Sequence, residues 1–272
     1  MLRIGWFSTA RGDSSKKLLD TVVSTIREGG LDARIEFVFC SREPGESEKT
    51  DIFLAQVREY SITLVTSSVK KFAGSFRQQV GVKDGDLPGW RLEYDRQVMA
   101  GLEGFTVDIC LLAGYMLIVG HEMCSRFNMI NLHPALPTGP KGAWQEVIWQ
   151  LMRERAAESG VMIHLVTPQL DRGPVISFCK YPIRGEKFDA LWDSLGDLPV
   201  DALRQAEGED NVLFKLIRQR GFIRETPLII DTLRSFSRGR IKIDSQKRLL
   251  DSRGLPIAGY DLTAEIDRQI SE

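Results

Sequence analysis

The chain has 272 residues with 36 basic and 37 acidic side chains, so its formal net charge is −1, and 43% of its residues are hydrophobic. This composition is typical of a folded globular protein and excludes a largely disordered chain. The balanced charge argues against a nucleic-acid partner, which requires an excess of cations to neutralise phosphates. No apolar run reaches the ~20 residues of a membrane-spanning helix and the start resembles no signal peptide, so we expect a cytoplasmic protein without a membrane partner.

The four cysteines, Cys40, Cys110, Cys124 and Cys179, form no CxxC pair and no tight cluster with histidine. Three of them lie inside apolar runs, where a thiol behaves as a small hydrophobe. We therefore expect four reduced thiols in the core and no metal site.

Short apolar runs alternate with helical patterns through the first third of the chain. Strands are predicted at Leu2–Phe7, Ala33–Cys40 and Ile62–Val65, and helices near Ser15–Glu28 and over Asp51–Tyr60. The glycine-rich residues 67–90 predict an irregular excursion from the regular pattern.

The uninterrupted apolar run Val107–Ala113 is typical of a central parallel strand that is covered on both faces. The neighbouring predicted elements are a helix at Leu92–Leu102, a strand at Met129–Leu132, a helix at Ala143–Glu158, and strands at Val161–Thr167 and Pro174–Cys179. This β-α-β alternation predicts an α/β fold with a doubly wound, mostly parallel sheet. The last two strands are close enough in sequence to add to it in antiparallel fashion.

From about Arg184 onwards the pattern becomes helical, at Phe188–Leu195, Val200–Gln219 and Thr226–Ser237. We therefore expect two parts: an α/β domain over residues 1–183 and a helical C-terminal extension, residues 184–272, packed on it. The basic side chains of this extension are most simply interpreted as solvated helix faces.

Ligands of open α/β sheets bind at the carboxyl ends of the strands, so the loops after predicted strands are candidate sites. Residues 8–15, with the sequence STARGDSS, follow the first strand and open a helix. Free backbone N–H groups and the helix dipole at such a place favour an anion such as phosphate. An ordinary strand-to-helix turn capped by Asp13 or Ser14 is the competing interpretation.

A second loop begins with Asn131, Leu132, His133 and Pro134. Side chains alternate along a strand with a period of two, so Asn131 and His133 point the same way and an amide and an imidazole could converge on one point. Of the other histidines, His164 lies in an apolar strand and is expected to be a satisfied core residue. His121 is expected to be a surface residue at a helix start.

A third loop places Asp171 on a turn directly ahead of Arg172, Gly173 and Pro174. A carboxylate there could orient His133 and favour the protonated imidazole. The alternative is a turn aspartate that bonds its own backbone.

Three phrases in this order and spacing, LLAGYMLIV, NLHPALP and GVMIHLVTPQLDRGPVISF, resemble the folate-dependent formyltransferases, and most closely the branch that formylates glycinamide ribonucleotide. The resemblance runs from about Leu2 to Cys179 and continues more weakly through the tail. It implies a Rossmann-type, formyltransferase-like domain. It also implies formyl transfer from 10-formyltetrahydrofolate, as cosubstrate, to a small, phosphorylated amine in purine biosynthesis. The resemblance implies no metal, and a homodimer is one option.

The resemblance also assigns roles to individual residues. The catalytic trio is matched by Asn131, His133 and Asp171, and the substrate-phosphate loop by Gly12, Asp13 and Ser14. The cosubstrate side is matched by Arg91, by Met116, Leu117, Ile118 and Val119, and by Thr167, Pro168, Gln169 and Leu170. In this scheme Asn131 and protonated His133 stabilise the negative charge that develops on the formyl oxygen. Asp171 holds the imidazole and assists the movement of a proton.

The sequence departs from the family pattern on both sides of the expected site. Leu117 stands where the family usually has arginine, and the phosphate loop is one residue longer and carries the acidic Asp13. These departures leave the acceptor open. Other hypotheses are formyl transfer to another amine such as an amino sugar nucleotide, hydrolysis of the formyl-folate, and a non-catalytic binding module of the same fold.

Overall fold

The apolar runs form one large sheet in the computed structural model, which describes residues 1–75, 87–196 and 198–271. The strands are β1 Leu2–Ser8, β2 Ala33–Cys40, β3 Leu64–Thr66, β4 Ile109–Leu112, β5 Met129–His133, β6 Glu158–Leu165, β7 Val175–Pro182, β8 Ile241–Ile243, β9 Leu249–Asp251 and β10 Tyr260–Asp261. The helices are α1 Asp13–Arg27, α2 Glu48–Glu59, α3 Val69–Ser75, α4 Gly89–Gly101, α5 His121–Arg126, α6 Trp144–Arg153, α7 Glu186–Leu195, α8 Val200–Ala206, α9 Val212–Ser237 and α10 Thr263–Ser271.

Eight strands form the sheet in the order β10-β7-β6-β5-β4-β1-β2-β3, while β8 and β9 form a separate pair. The pairs β3-β2, β2-β1, β1-β4, β4-β5 and β7-β10 are parallel. The strands β5, β6 and β7 pair antiparallel. The predicted doubly wound, mostly parallel sheet with an antiparallel addition is confirmed.

The two faces of the sheet carry different cores, because the side chains of β1 alternate between them. Ile4 and Trp6 pack with apolar residues of α1, α2 and α9, whereas Phe7 packs with an aromatic cluster that includes Phe37. Gly5 allows the Phe37 ring to lie against the strand, since a Cβ there would lie only 2.7 Å from Phe37 Cζ. Burial of each large apolar side chain contributes about 1.5–3 kcal/mol to the free energy of folding.

The extension after β7 is more varied than the sequence pattern indicated. Helix α8 ends at Ala206, whereas the pattern predicted a helix to Gln219. A single helix α9 then begins after its N-cap Asn211, whose side chain accepts a hydrogen bond from the Phe214 N–H, and it continues through Pro227. Packing of α9 against β6 and β7 overrides the local preference for a break at proline. Strand β10 extends the main sheet beside β7, so the extension is not purely helical.

Two further elements differ at their ends. Helix α6 ends at Arg153 rather than Glu158, because the chain turns at Arg155 with φ +47° and Glu158 begins β6. Within the expected excursion 67–90, α3 and the start of α4 are helical, and residues 76–86 lie outside the described residues.

All four cysteines are buried and unpaired, as predicted. Burial raises the pKa of the Cys40 and Cys124 thiols to about 11 and that of Cys179 to about 12. These thiols therefore stay protonated at neutral pH and act as apolar side chains. A search of the described residues for a helix long and apolar enough to cross a membrane finds none.

Candidate active site

The strand order reverses between β1 and β4, and the loops after these two strands meet there. The Thr9 N–H donates to the Gly114 carbonyl oxygen over 3.1 Å, and the Met116 N–H donates to Thr9 Oγ1 over 2.9 Å. Such a reversal point is where open α/β sheets bind ligands. A cleft of about 630 Å³ opens at this edge of the sheet, a size that suits a small-molecule ligand.

A polar cluster lines the cleft beside these loops. Asn131 and His133 share a face of β5, and His164 on the antiparallel neighbour β6 lies directly opposite Asn131. Directly opposite residues of an antiparallel pair project to the same side. Asp171 lies between the two imidazoles: its Oδ2 is 3.5 Å from His133 Nδ1 and its Oδ1 is 3.5 Å from His164 Nε2. Both histidines are 2% exposed and Asp171 is 7% exposed.

His164 is the functional candidate that sequence reasoning missed. It was expected to be a satisfied core residue, but it lines the cleft. Its Nε2 makes no hydrogen bond to another described residue, since the nearby Asp171 Oδ1 is 3.5 Å away. What brings His164 to the site is its register opposite Asn131. That register depends on how β5 and β6 pair, which the sequence pattern does not show. His121, by contrast, begins α5 with an exposed side chain, as expected.

The turn that carries Asp171 is held in an unusual conformation. Asp171 has φ +52°, in the left-handed region that aspartate tolerates better than most residues. Gly173 is required nearby, because a Cβ there would lie 1.7 Å from the Leu165 carbonyl oxygen. The Gly142 N–H also donates to Asp171 Oδ2 over 3.3 Å. Strain of this kind is characteristic of functional sites.

The surroundings of the cluster lower the pKa values of both Asp171 and His133, which affects their charges in different ways. Burial opposes ionisation of Asp171, but the contacts with His164 and His133 and the Gly142 N–H outweigh it and lower the pKa of this carboxyl. Burial is also the largest influence on His133, and it lowers the pKa of the imidazole although the Pro140 carbonyl and Asp171 act in the opposite direction. These two directions favour an ionised Asp171 and a neutral His133 at neutral pH, whereas the family resemblance implied a protonated His133.

Both ring nitrogens of His133 face hydrogen-bond acceptors. Its Nε2 lies 2.8 Å from the Pro140 carbonyl oxygen, and its Nδ1 faces Asp171. A neutral imidazole donates through one nitrogen only, so the short contact with Pro140 takes the proton. The Asn131 side chain makes no hydrogen bond to another described residue, and Asn131 lines the cleft.

The other sequence-predicted residues divide into two groups. The cleft is lined by Ser14, Met116, Leu117, Ile118, Val119, Thr167 and Leu170. Gly12, Asp13, Arg91, Pro168 and Gln169 are not among its lining residues. The Asp13 side chain is 75% exposed and lies 3.5 Å from the Lys49 ammonium.

Arg91 lies behind the cleft rather than in it. Its Nη2 donates to Asp95 Oδ1 over 2.9 Å and to the Ile118 carbonyl over 2.6 Å. Asp95 Oδ2 in turn accepts from the Gly120 N–H over 2.7 Å. The two side chains are 6% and 2% exposed, so this buried pair fixes the backbone of the loop that lines the cleft.

Helix α9 closes one side of the cleft with Arg218, Phe222 and Glu225. The sequence pattern gave no sign of this, because the basic cluster around Arg218 resembled a solvated helix face. The described residues include no group of three or more His, Cys, Asp or Glu side chains placed to hold a metal ion.

The comparisons with known proteins agree with this arrangement. Residues 13–196 match the family described as formyl transferase. The chain is 24% identical over 245 residues to phosphoribosylglycinamide formyltransferase of Haemophilus influenzae, covering 89% of this chain and 92% of that protein. It is 27% identical over 172 residues to the Escherichia coli protein of the same name, covering 62% of this chain and 68% of that protein.

Two solved structures share the fold. The phosphoribosylglycinamide formyltransferase of Coxiella burnetii superposes with a TM-score of 0.63 at 17% identity, over 96% of this chain and 98% of that chain. A formyltetrahydrofolate deformylase from Pseudomonas putida superposes with a TM-score of 0.56 at 17% identity, over 92% of this chain and 70% of that chain. Since the family match spans more than half of the sequence, this protein belongs to the formyl transferase family.

Proposed function

We propose that this protein transfers the formyl group of 10-formyltetrahydrofolate to the amine of glycinamide ribonucleotide, a step of purine biosynthesis. The observation that carries the proposal is the gathering of Asn131, His133, His164 and Asp171 along one side of a single cleft. The names of the similar proteins from Haemophilus influenzae and Escherichia coli support the choice of acceptor. We further propose that the reaction takes place in the cytoplasm on a small phosphorylated amine.

The reaction forms one bond and breaks another. The amine nitrogen bonds to the formyl carbon, the bond from that carbon to the folate nitrogen breaks, and one proton passes from the amine to the folate nitrogen. Negative charge develops on the formyl oxygen in between. The Asn131 amide N–H is the donor available to that oxygen, and His133 adds a second N–H when its Nε2 leaves the Pro140 carbonyl.

Asp171 supports the movement of the proton. The neutral His133 ring, whose proton is on Nε2, can accept the proton of the attacking amine on Nδ1, and the ionised Asp171, whose Oδ2 lies 3.5 Å from that nitrogen, stabilises the resulting imidazolium. The same imidazolium then returns the proton to the folate nitrogen. This division of roles requires an ionised carboxylate and a neutral base, which are the protonation states that the lowered pKa values of Asp171 and His133 provide.

The cosubstrate fits the other side of the cleft. Met116, Ile118 and Leu170 are 62%, 43% and 52% exposed at this side, and they offer an apolar surface to a flat heteroaromatic ring. We propose that backbone groups of residues 167–170, which include Pro168 and Gln169, contact the pterin. Arg91 acts through the loop that it holds, and Leu117 contributes apolar contact in place of a charge.

The acceptor fits the side formed by α1 and α9. We propose that the loop of Gly12, Asp13 and Ser14 lies beside the substrate phosphate, with Ser14 lining the cleft. In this arrangement residues 1–183 supply the chemistry, and residues 184–272 complete the acceptor side through α9. A homodimer would leave these assignments unchanged.

The test supplies 10-formyltetrahydrofolate with and without glycinamide ribonucleotide and follows the release of tetrahydrofolate. We expect turnover only when the ribonucleotide is present, and a loss of about 10²–10³ in kcat for His133→Ala, the magnitude of removing a charge-stabilising donor. His121→Ala is the matched control, because this histidine is exposed and outside the cleft. Turnover without any amine would indicate a hydrolase, and full activity of His133→Ala would contradict the proposed chemistry.

A further inference from the structure

Arg218 is held at the cleft by two aromatic rings. Its guanidinium carbon lies 4.8 Å from the centre of the Trp144 ring and 4.9 Å from that of Phe222. Trp144 is itself packed against Phe214, with the ring centres 5.8 Å apart. A planar guanidinium packed against two aromatic rings loses little further conformational freedom when it binds, so it is preorganised for recognition.

The hydrogen-bonding capacity of Arg218 is only partly used. Its Nη1 donates to Glu225 on the same helix, and its remaining nitrogens make no hydrogen bond to another described residue. The side chain is 26% exposed, and it lines the cleft. A guanidinium has five N–H donors in a planar fork that matches carboxylate and phosphate, so donors remain for an anionic ligand.

The distribution of charge around the cleft favours Arg218 over the β1–α1 loop as the anion-binding residue. The cationic side chains that line the described cleft are Lys17 and Arg218. Asp13 occupies the first position of α1, where its carboxylate already interacts with the positive end of the helix dipole. A second anion placed there would meet like charge, whereas Arg218 is a cation in the cleft whose carboxylate partner, Glu225, engages only Nη1.

We infer that Arg218 binds the anionic group of the formyl acceptor and thereby selects phosphorylated or carboxylated amines. This inference rests on the proposed function and refines it, because it moves the main anion contact from the loop at residues 12–14 to helix α9. Trp144 and Phe222 hold the guanidinium in place, and Glu225 occupies one side of it without blocking the rest.

The kinetic test uses Arg218→Met, which keeps an unbranched side chain and removes the charge, with glycinamide ribonucleotide and its dephosphorylated riboside as acceptors. We expect kcat/KM for the ribonucleotide to fall about 10- to 100-fold, the range of a charged hydrogen bond. The KM for 10-formyltetrahydrofolate and the activity with the riboside should match those of the wild type. Arg218→Lys should recover part of the loss.

The control is Arg220→Met, which removes a cation of the same helix that lies over Phe188 and outside the cleft. Equal losses with ribonucleotide and riboside would overturn the inference, as would an unchanged kcat/KM for the ribonucleotide. A raised KM for the formyl-folate with an unchanged acceptor KM would also overturn it, since the anion would then belong to the cosubstrate.

A binding measurement separates this inference from the proposed function. Calorimetric titration of ribose 5-phosphate needs no turnover, and ribose serves as the uncharged comparison. If the wild type binds the phosphate and Arg218→Met does not, the inference holds even where glycinamide ribonucleotide proves not to be the acceptor. Equal binding by both proteins would overturn the inference and leave the proposed formyl transfer intact.

Discussion

The polar cluster on β5 and β6 and the helical side of the cleft differ in how their side chains are held. Asn131, His133 and His164 project from neighbouring strands whose positions are fixed by a ladder of backbone hydrogen bonds. Arg218 and Lys17 project from helices, and aromatic stacking and an ion pair orient Arg218. The comparison teaches that this chain holds most of its proposed chemistry on hydrogen-bonded strands, and its proposed selectivity on a helix side chain that aromatic packing and one ion pair keep in place.

The two regions also differ in their exposure to solvent. Asp171 and the two histidines of the cluster are almost fully buried, so each charge there depends on its partners. Lys17 and Phe222, on the helices, are exposed, so their interactions are weaker and more easily replaced. Substitutions in the cluster should therefore have larger effects than substitutions on the helices.

The largest effect is expected from Asp171→Asn. The amide cannot stabilise an imidazolium between the two rings, so kcat should fall about 10²–10⁴-fold, the range of general acid–base catalysis. Steady-state kinetics with saturating 10-formyltetrahydrofolate and acceptor measure this change. Asp210→Asn is the control, because its carboxylate is 89% exposed in the extension. A kcat within threefold of the wild type would place the chemistry elsewhere.

Loss of the buried Arg91–Asp95 pair should lower the free energy of unfolding. Arg91→Met leaves the Asp95 carboxylate without its partner, and burial already raises the pKa of Asp95. Breaking a buried pair in this way costs about 3–5 kcal/mol of unfolding free energy, measured by urea denaturation. The exposed Arg96–Glu122 pair is the control, and Arg96→Met should lower the unfolding free energy far less, because solvent screens an exposed ion pair. Equal losses would show that burial does not distinguish the two pairs.

A smaller change is expected from His164→Asn. Contact with His164 lowers the pKa of Asp171, so its removal raises that pKa. Contact with His164 also lowers the pKa of His133, so both pKa values rise in the variant. Because the proposed chemistry needs an ionised Asp171 and a neutral His133, activity is lost as the pH falls through the higher of these two pKa values. The acidic limb of the kcat/KM profile should therefore move to higher pH in the variant, while a purely structural role would lower the profile without moving it.

The pH profile of the wild type tests the neutral state of His133. Burial lowers the pKa of this imidazole below its ordinary value of 6.5. If the neutral ring is the base, kcat/KM stays level at neutral pH and declines only below pH 6.5. An activity that instead rises as the pH falls below 6.5 would show that the protonated ring is the active form.

The smallest effect is expected from Glu225→Gln, which weakens the ion pair that engages Arg218. The guanidinium then interacts more fully with an anionic acceptor, so the acceptor KM should fall about two- to fivefold, as expected for a partly exposed pair. The KM for 10-formyltetrahydrofolate should not change. A rise in acceptor KM would show that Glu225 supports binding directly.

Part of the site could be predicted from the sequence because it follows from local periodicity. The period of two along β5 places Asn131 and His133 on one face, and the proline and glycine after Asp171 place it on a turn. The assignment of roles to these residues came from the family resemblance rather than from periodicity. The doubly wound, mostly parallel sheet followed from the alternation of apolar runs and helical patterns, whereas the order of its strands and the addition of β10 did not.

The remaining features depend on tertiary pairing, which the sequence pattern does not encode. His164 enters the site through its register with β5, and Arg218 through the packing of α9 on the sheet. The uninterrupted path of α9 through Pro227 likewise reflects packing rather than helix propensity. Arg91, assigned by resemblance to the folate side, proves to hold a loop from behind.

The most direct test of the central claim follows a labelled formyl group from 10-formyltetrahydrofolate in the presence of glycinamide ribonucleotide. The account predicts that wild-type protein places the label on the acceptor amine, and that Asn131→Ala does so at least tenfold more slowly at equal occupancy by the formyl-folate. Label recovered as free formate, or undiminished transfer by Asn131→Ala, would contradict it.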